Sequence, residues 1–269
     1  MALPLEIDEQ PTALYTINYQ LFLNLFKTNG IVLRTLKYGE TSVIVSIFTD
    51  LFGTQSYLVN GIRTSSKKAQ SKANLFQPGA ILQLVVYHNE LKKLQRIKET
   101  NWKYLYENIF FNVAKNAVAM FIVELLWKCL KQPETSHELF QFSEDILIHL
   151  DLSSETEMAN YPLFFAIHLA TFLGLQITDN YSALNNVLDL QEGLFIAGKP
   201  QHPYYVEEPY SNISSQLLKI MQPHELVQIK VNKDVRRVMM TAFQNYYALH
   251  IQDFGVMKSV PVLQAVISG

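Results

Sequence analysis

Apolar and polar positions change their rhythm near residue 100. Before it, short apolar runs alternate with turns. Residues 31–37 form a first run that meets the turn at Tyr38, Gly39 and Glu40. Residues 41–49 form a second, in which Val43, Val45 and Ile47 alternate with Ile44 and Phe48. Such near-continuous apolarity predicts a strand covered on both faces, as in a small closed barrel. After the turn at 51–54, residues 55–59 predict a third strand with Tyr57 and Val59 on one face. Residues 60–74 are polar, rich in Gly, Ser, Thr and Lys, and predict a mobile loop with room for one helical turn. Beyond Pro78 and Gly79, residues 80–87 and 91–99 predict a fourth and fifth strand. Five short strands with a longer break between the third and fourth match the OB-fold.

After Trp102 the period becomes helical. Residues 106–131 carry Phe110, Val113, Ala117, Met120, Phe121 and Leu125 at helical spacing, and Pro133 ends the run. Residues 136–150 predict a second amphipathic helix. Asn160 resembles an N-cap and Pro162 sits early in the following helix, where its missing N–H costs least. That helix ends near Gly174. A loop-rich acidic stretch covers 176–211, and two or three helices finish the chain, the clearest at 232–252. The fold class expected is α+β: a five-stranded OB-fold barrel over 27–100 and a mostly α-helical domain over 101–269. Residues 1–26 form an N-terminal extension of unassigned role.

Charge sharpens this division. The net charge is only -2. Residues 27–98, however, hold eleven Lys and Arg against three acids, a surplus of eight, whereas residues from 99 onward hold eleven against eighteen, a deficit of seven. A basic segment joined to an acidic remainder points to nucleic-acid binding by the former. The cations are Arg34 and Lys37, beside Tyr38; Arg63, Lys67, Lys68 and Lys72 in the polar loop; and Lys92, Lys93, Arg96 and Lys98 around the fifth strand. A barrel that grips a strand needs cations along the phosphates and aromatic rings for stacking.

Other chemistry is sparse. The single cysteine, Cys129, falls on an apolar helix face, and a reducing cytoplasm suits it. The first base is Lys27, so no secretory signal is expected, and the most apolar stretch, 162–177, is too short to span a bilayer. No P-loop, GxGxxG, HExxH or GxSxG occurs. His168 and His250 read as helix residues, His202 and His224 as loop residues, and no nucleophile or acid–base constellation emerges. The expectation is no enzyme, no metal and no cofactor.

Several runs in order resemble the RecO family: NGIVLRTLKYGE at 29–40, LFGT at 51–54, GIRTSSKK at 61–68, LFQPG at 75–79, FFAIHLATFLG at 164–174, DLQEGLF at 189–195 and MKSVPVL at 257–263. The resemblance covers about residue 27 to the end. It implies an N-terminal OB-fold and a helical C-terminal domain in a cytoplasmic, nucleoid-associated bacterial protein. It also implies binding to single- and double-stranded DNA, annealing of complementary strands, and cooperation with RecR to load RecA onto DNA coated by single-strand-binding protein. The family further implies binding of that protein's acidic C-terminal tail. Lys128 and Lys131, or Lys233, Arg236 and Arg237, are the candidate cations around its pocket. Many members carry a four-cysteine zinc site, but the equivalent stretch here, 177–210, has no cysteine. The alternatives are an OB-fold protein acting on RNA and an enzyme whose site lies in the helical domain.

Overall fold

The computed structural model describes residues 25–267, apart from the Lys68 side chain. Residues 1–24 of the expected extension lie outside the described residues, while Leu25 and Phe26 open the first strand. Five strands, β1 (Leu25–Tyr38), β2 (Ser42–Thr49), β3 (Gly53–Val59), β4 (Ile81–Tyr87) and β5 (Gln95–Tyr104), close into a barrel in the order β1-β2-β3-β5-β4. All pairings are antiparallel except β3 with β5. A circuit leaving β1 at Leu36 passes Ile44, Leu58, Arg96 and Tyr87 and returns to β1 at Leu25, eleven residues earlier. That stagger is the tilt a five-stranded sheet needs in order to close. Val32, Val43, Val45, Ile47, Tyr57, Leu82, Leu84 and Val86 point inward as the barrel core.

In the barrel region, β1, the segment between β3 and β4, and β5 depart from the sequence expectation. β1 begins six residues earlier than the apolar run, because Thr28 and Gly30 take inward positions opposite Leu84 and Leu82. A Cβ on Gly30 would meet Ile47 Cγ2 at 2.5 Å, so the close approach requires glycine. The expected mobile loop holds helix α1 (Lys67–Leu75), capped by Ser66, whose hydroxyl accepts from Ala69 N at 3.2 Å. Ala73, Leu75 and the cap residue Phe76 pack against the barrel core, a face too short to show as a periodic apolar pattern. β5 starts at Gln95 rather than residue 91, because residues 88–94 are held as a turn.

The helical body contains α2 (Val113–Cys129), α3 (His137–Leu152), α4 (Glu155–Met158), α5 (Tyr161–Phe172), α6 (Tyr210–Lys219), a 3-10 turn (Pro223–Gln228), α7 (Lys233–His250) and α8 (Ser259–Ile267). α5 is buried on nearly all sides, as its uniformly apolar sequence requires of a central helix. It ends at Gly174, φ +70°, where Leu175 N donates to Ala170 O. Asn160 precedes it without capping it. Its amide instead donates to Ile229 O at 2.9 Å, and its oxygen accepts from Arg236. Residues 106–112, expected as helix, form a loop, and Asn112 caps α2 by accepting from Ala114 N and Lys115 N. The loop-rich stretch contains a small sheet of β6 (Val187–Asp189), β7 (Leu194–Ile196) and β8 (Tyr205–Val206), ordered β7-β6-β8. No helix among the described residues is long and apolar enough to cross a membrane.

Candidate nucleic-acid interface

Register decides which basic residues share a face. Arg34 pairs with Ser46, Leu36 with Ile44, and Tyr38 with Ser42; Ile44 continues to Leu58, and Leu58 to Arg96 beside Tyr87. None of these alternates into the barrel core, so they form one outward face. Arg34, Tyr38, Arg96 and Tyr87 are exposed on it, as is Leu36. Of these, the sequence singled out Arg34, Tyr38 and Arg96. Leu36 and Tyr87, both exposed, and the half-buried Ile44 and Leu58 complete the face, and their signal is an apolar group at an outward strand position. Arg34 also lies 5.6 Å from the Trp127 ring of α2, so this cation borders the helical body.

A second group rings the end of the barrel that α1 covers. Lys37 pairs with the core residue Val43, which puts it on the inward parity at the rim, where it is exposed. Arg63 Nη1 donates to Gly39 O at 3.0 Å and so ties the loop before α1 to the β1–β2 turn that carries Tyr38. Lys67 is exposed in the first turn of α1 and Lys72 is half-buried in its last. Lys68 occupies the same helix, and its side chain lies outside the described residues.

Lys92 and Lys93 lie in the β4–β5 turn rather than on a strand. Gln95, buried at the start of β5, holds this turn by donating to Asn89 O at 2.8 Å and Lys92 O at 2.6 Å while accepting from Asn89 N at 3.0 Å. The turn overhangs a cavity of about 380 Å³ lined by Leu58, Tyr87, His88, Lys92, Leu94 and Arg96, among others. His88 stacks on Phe52 with ring centroids 3.8 Å apart, and burial lowers its pKa below the usual histidine value, against a smaller opposing pull from Glu90.

In the helical body, Lys128 Nζ donates to Phe254 O at 2.5 Å and lies 5.2 Å from the Phe254 ring, and Lys131 Nζ reaches Asp253 O at 3.4 Å. Both clasp the turn that follows α7. Lys233, Arg236 and Arg237 instead gather at a shallow cleft with Pro162, Met240, Leu263 and Ile267. Arg236 is partly committed within the fold, donating to Val231 O at 2.7 Å and to Asn160 Oδ1. Cys129 is buried in the main core, and burial pushes its thiol up to about 12, away from thiolate chemistry.

The residues around the small sheet do not fit the thiolate zinc site that the family resemblance suggests. Asp189 is buried, and its carboxylate meets His202 Nε2 at 3.2 Å and accepts from Gln191 N and Glu192 N. Leu188, Leu190 and Phe195 pack the sheet against the helices. Among the described residues, no group of three or more His, Cys, Asp or Glu converges as metal ligands.

Comparison with known proteins adds two kinds of finding. The family model described as recombination protein O N terminal matches residues 23–106, and the one described as recombination protein O C terminal matches 111–259. Among curated relatives, the DNA repair protein RecO of Bacteroides fragilis is 33% identical over 242 residues, covering 89% of this chain and 98% of that protein. Those of Phocaeicola vulgatus and Flavobacterium psychrophilum are 31% and 30% identical, each over at least 90% of this chain and 99% of their own length.

Proposed function

The chain belongs to the RecO family of DNA repair and recombination proteins, and from that premise we propose that it is a non-catalytic recombination mediator. In this reading the barrel binds single- and double-stranded DNA and lets complementary strands anneal. The helical body binds the acidic C-terminal tail of single-strand-binding protein. Together with RecR, the protein then opens coated single strands in the bacterial cytoplasm, at the nucleoid, for loading of RecA. It needs no cofactor.

The observation that carries the reading is the outward barrel face, which combines Arg34 and Arg96 with Tyr38 and Tyr87 and is flanked by Lys37, Arg63, Lys67 and Lys72. Cations and rings on one open sheet suit a flexible polyanion with stacking bases. Annealing is already downhill once phosphate repulsion is lowered, so a basic surface suffices and no nucleotide is required. For the tail, Lys233 and Arg237 beside the apolar cleft are the favoured partners of the two sets. A tail contact would hold the barrel near coated DNA at high effective concentration.

The test is annealing of complementary strands, bare and coated with single-strand-binding protein, in EDTA without ATP and with or without RecR. Bare strands should anneal and the rate should fall with salt. On coated strands the rate should rise with RecR and drop when the coating protein lacks its tail. A strict ATP requirement would favour an enzyme, and tighter binding to RNA than to matched DNA would favour an RNA-acting protein.

A further inference from the structure

We infer that the cavity beneath the β4–β5 turn takes one unpaired nucleobase of a bound single strand, a deeper reading of the barrel that rests on the mediator proposal. β3 and β5 pair over only two residue couples, Tyr57 with Gln95 and Leu58 with Arg96. The cavity lies against this short seam, at Leu58, Gln95 and Arg96, and the turn of residues 88–94 roofs it. At about 380 Å³ it lies at the small end of ligand pockets and suits a single planar group rather than a length of strand.

Its lining matches a base. Leu58, Leu94 and Tyr87 give apolar and aromatic surface, and Tyr87 is 42% exposed, leaving ring area open to a partner. Burial of the neighbouring His88 ring, stacked on Phe52, disfavours its charged form, so this wall does little to draw a phosphate inward. Charge is confined to Lys92 and Arg96, both exposed, where the phosphates flanking an inserted base would pass. The cavity is also preorganised: the three hydrogen bonds of the buried Gln95 amide fix the roof before anything binds. A base in a duplex is paired and stacked and would have to leave the helix to enter. The pocket therefore grips single strands and adds little for duplexes, which rely on the cations alone.

The experiment compares three ligands of equal length at one salt concentration: a single strand, the same strand with abasic sites through its centre, and the duplex. All retain phosphates, and only the first offers unpaired bases throughout. The wild-type protein should bind the normal strand roughly five- to a hundredfold more tightly than the abasic one, the range expected of one base–aromatic stack. Tyr87→Ala should abolish most of that ratio by weakening the normal strand far more than the abasic one, and Tyr87→Phe should restore it. Equal wild-type affinity for normal and abasic strands, or an unchanged ratio in Tyr87→Ala, would overturn the pocket and leave DNA binding by the barrel intact. Failure to bind any of the three would overturn the pocket and the mediator reading together.

Discussion

The Asp151 carboxylate, fully buried near the end of α3, accepts from Asn108 N and Ile109 N at 2.8 Å through one oxygen and from Glu107 N at 2.8 Å through the other. Its backbone carbonyl accepts from Lys115 Nζ at 2.7 Å. One residue thus satisfies the backbone donors of the loop that leaves the barrel and enters α2. Asp151→Asn would turn an amide group toward donors and should cost roughly 1.5–3 kcal/mol, the worth of hydrogen bonds to a charged acceptor. A urea midpoint unchanged from wild type would refute that role. His168 gives a pH dependence. It sits on α5 against Phe164, with Nε2 3.2 Å from Leu217 O. Burial lowers its pKa, with the carbonyls of Leu217 and Ile220 pulling the other way. The folded pKa lies below the unfolded one, so in the interval between them the unfolded chain binds the extra proton. The contribution of His168 is therefore complete above about pH 6.5 and declines as the pH falls below it. Urea midpoints measured at pH 7.5 and 5.5 should differ, and His168→Gln should reduce the difference. An equal difference in the variant would assign the effect to other groups.

At the level of elements, α1 links the fold to the proposed function. It closes one end of the barrel with Ala73, Leu75 and Phe76 and carries Lys67 and Lys72 on its first and last turns. If both lysines track phosphates, Lys67→Ala with Lys72→Ala should weaken binding alike for all sequences. It should also flatten the plot of log K against log salt for single strands by about 1.4, at roughly 0.7 per phosphate. An unchanged slope would remove α1 from the DNA path. The sequence disclosed α1 only as a polar stretch, because its buried side needs few apolar residues. β2 and β4 were legible because their continuous apolar runs are covered on both faces, inward by the barrel and outward at Phe48 and Ile81 by the helical body. The early half of β1 was not, since Lys27, Thr28 and Asn29 look like loop until β4 pairs with them. The same limit applies to the candidate site. Cations announce themselves by type, so Arg34, Lys37, Arg96 and the lysines of α1 stand out in the sequence as candidates. Tyr87 was passed over as a strand end, because its place beside Arg96 depends on register across two strands distant in the chain.

Across the whole molecule, charge and packing pull in different directions. A basic surplus falls on the barrel segment and an acidic surplus on the remainder, so a polyanion is drawn to one end of the chain and repelled from the other. Packing nevertheless joins the two ends. Ile31, Leu33, Phe48 and Ile81 of the barrel belong to the same core cluster as α2, α3 and α5. Asp50 meets His137 Nδ1 at 2.5 Å, Lys103 pairs with Glu144 at 2.7 Å, and Tyr106 Oη donates to Gly79 O at 2.8 Å. Gly53, at φ +60°, lies so close to the 133–134 backbone that a Cβ would stand 2.3 Å from Glu134 O. A contact this continuous should make the protein unfold as one cooperative unit. The two tryptophans report on the two parts, Trp102 from β5 and Trp127 from α2. In the single-tryptophan proteins Trp127→Phe and Trp102→Phe, each part is followed separately during urea unfolding. Midpoint and slope should scale with stability in the same way for both probes. Phe48→Ala, which removes a fully buried ring packed 5.6 Å from Phe140, should lower both midpoints together by about 3–5 kcal/mol in stability. If the Trp102 signal moved while the Trp127 signal stayed, the barrel would be an independent unit tethered to the helices. The proposed DNA face and the proposed tail cleft would then no longer be held at a fixed separation, and any gain from binding both at once would depend on linker geometry instead.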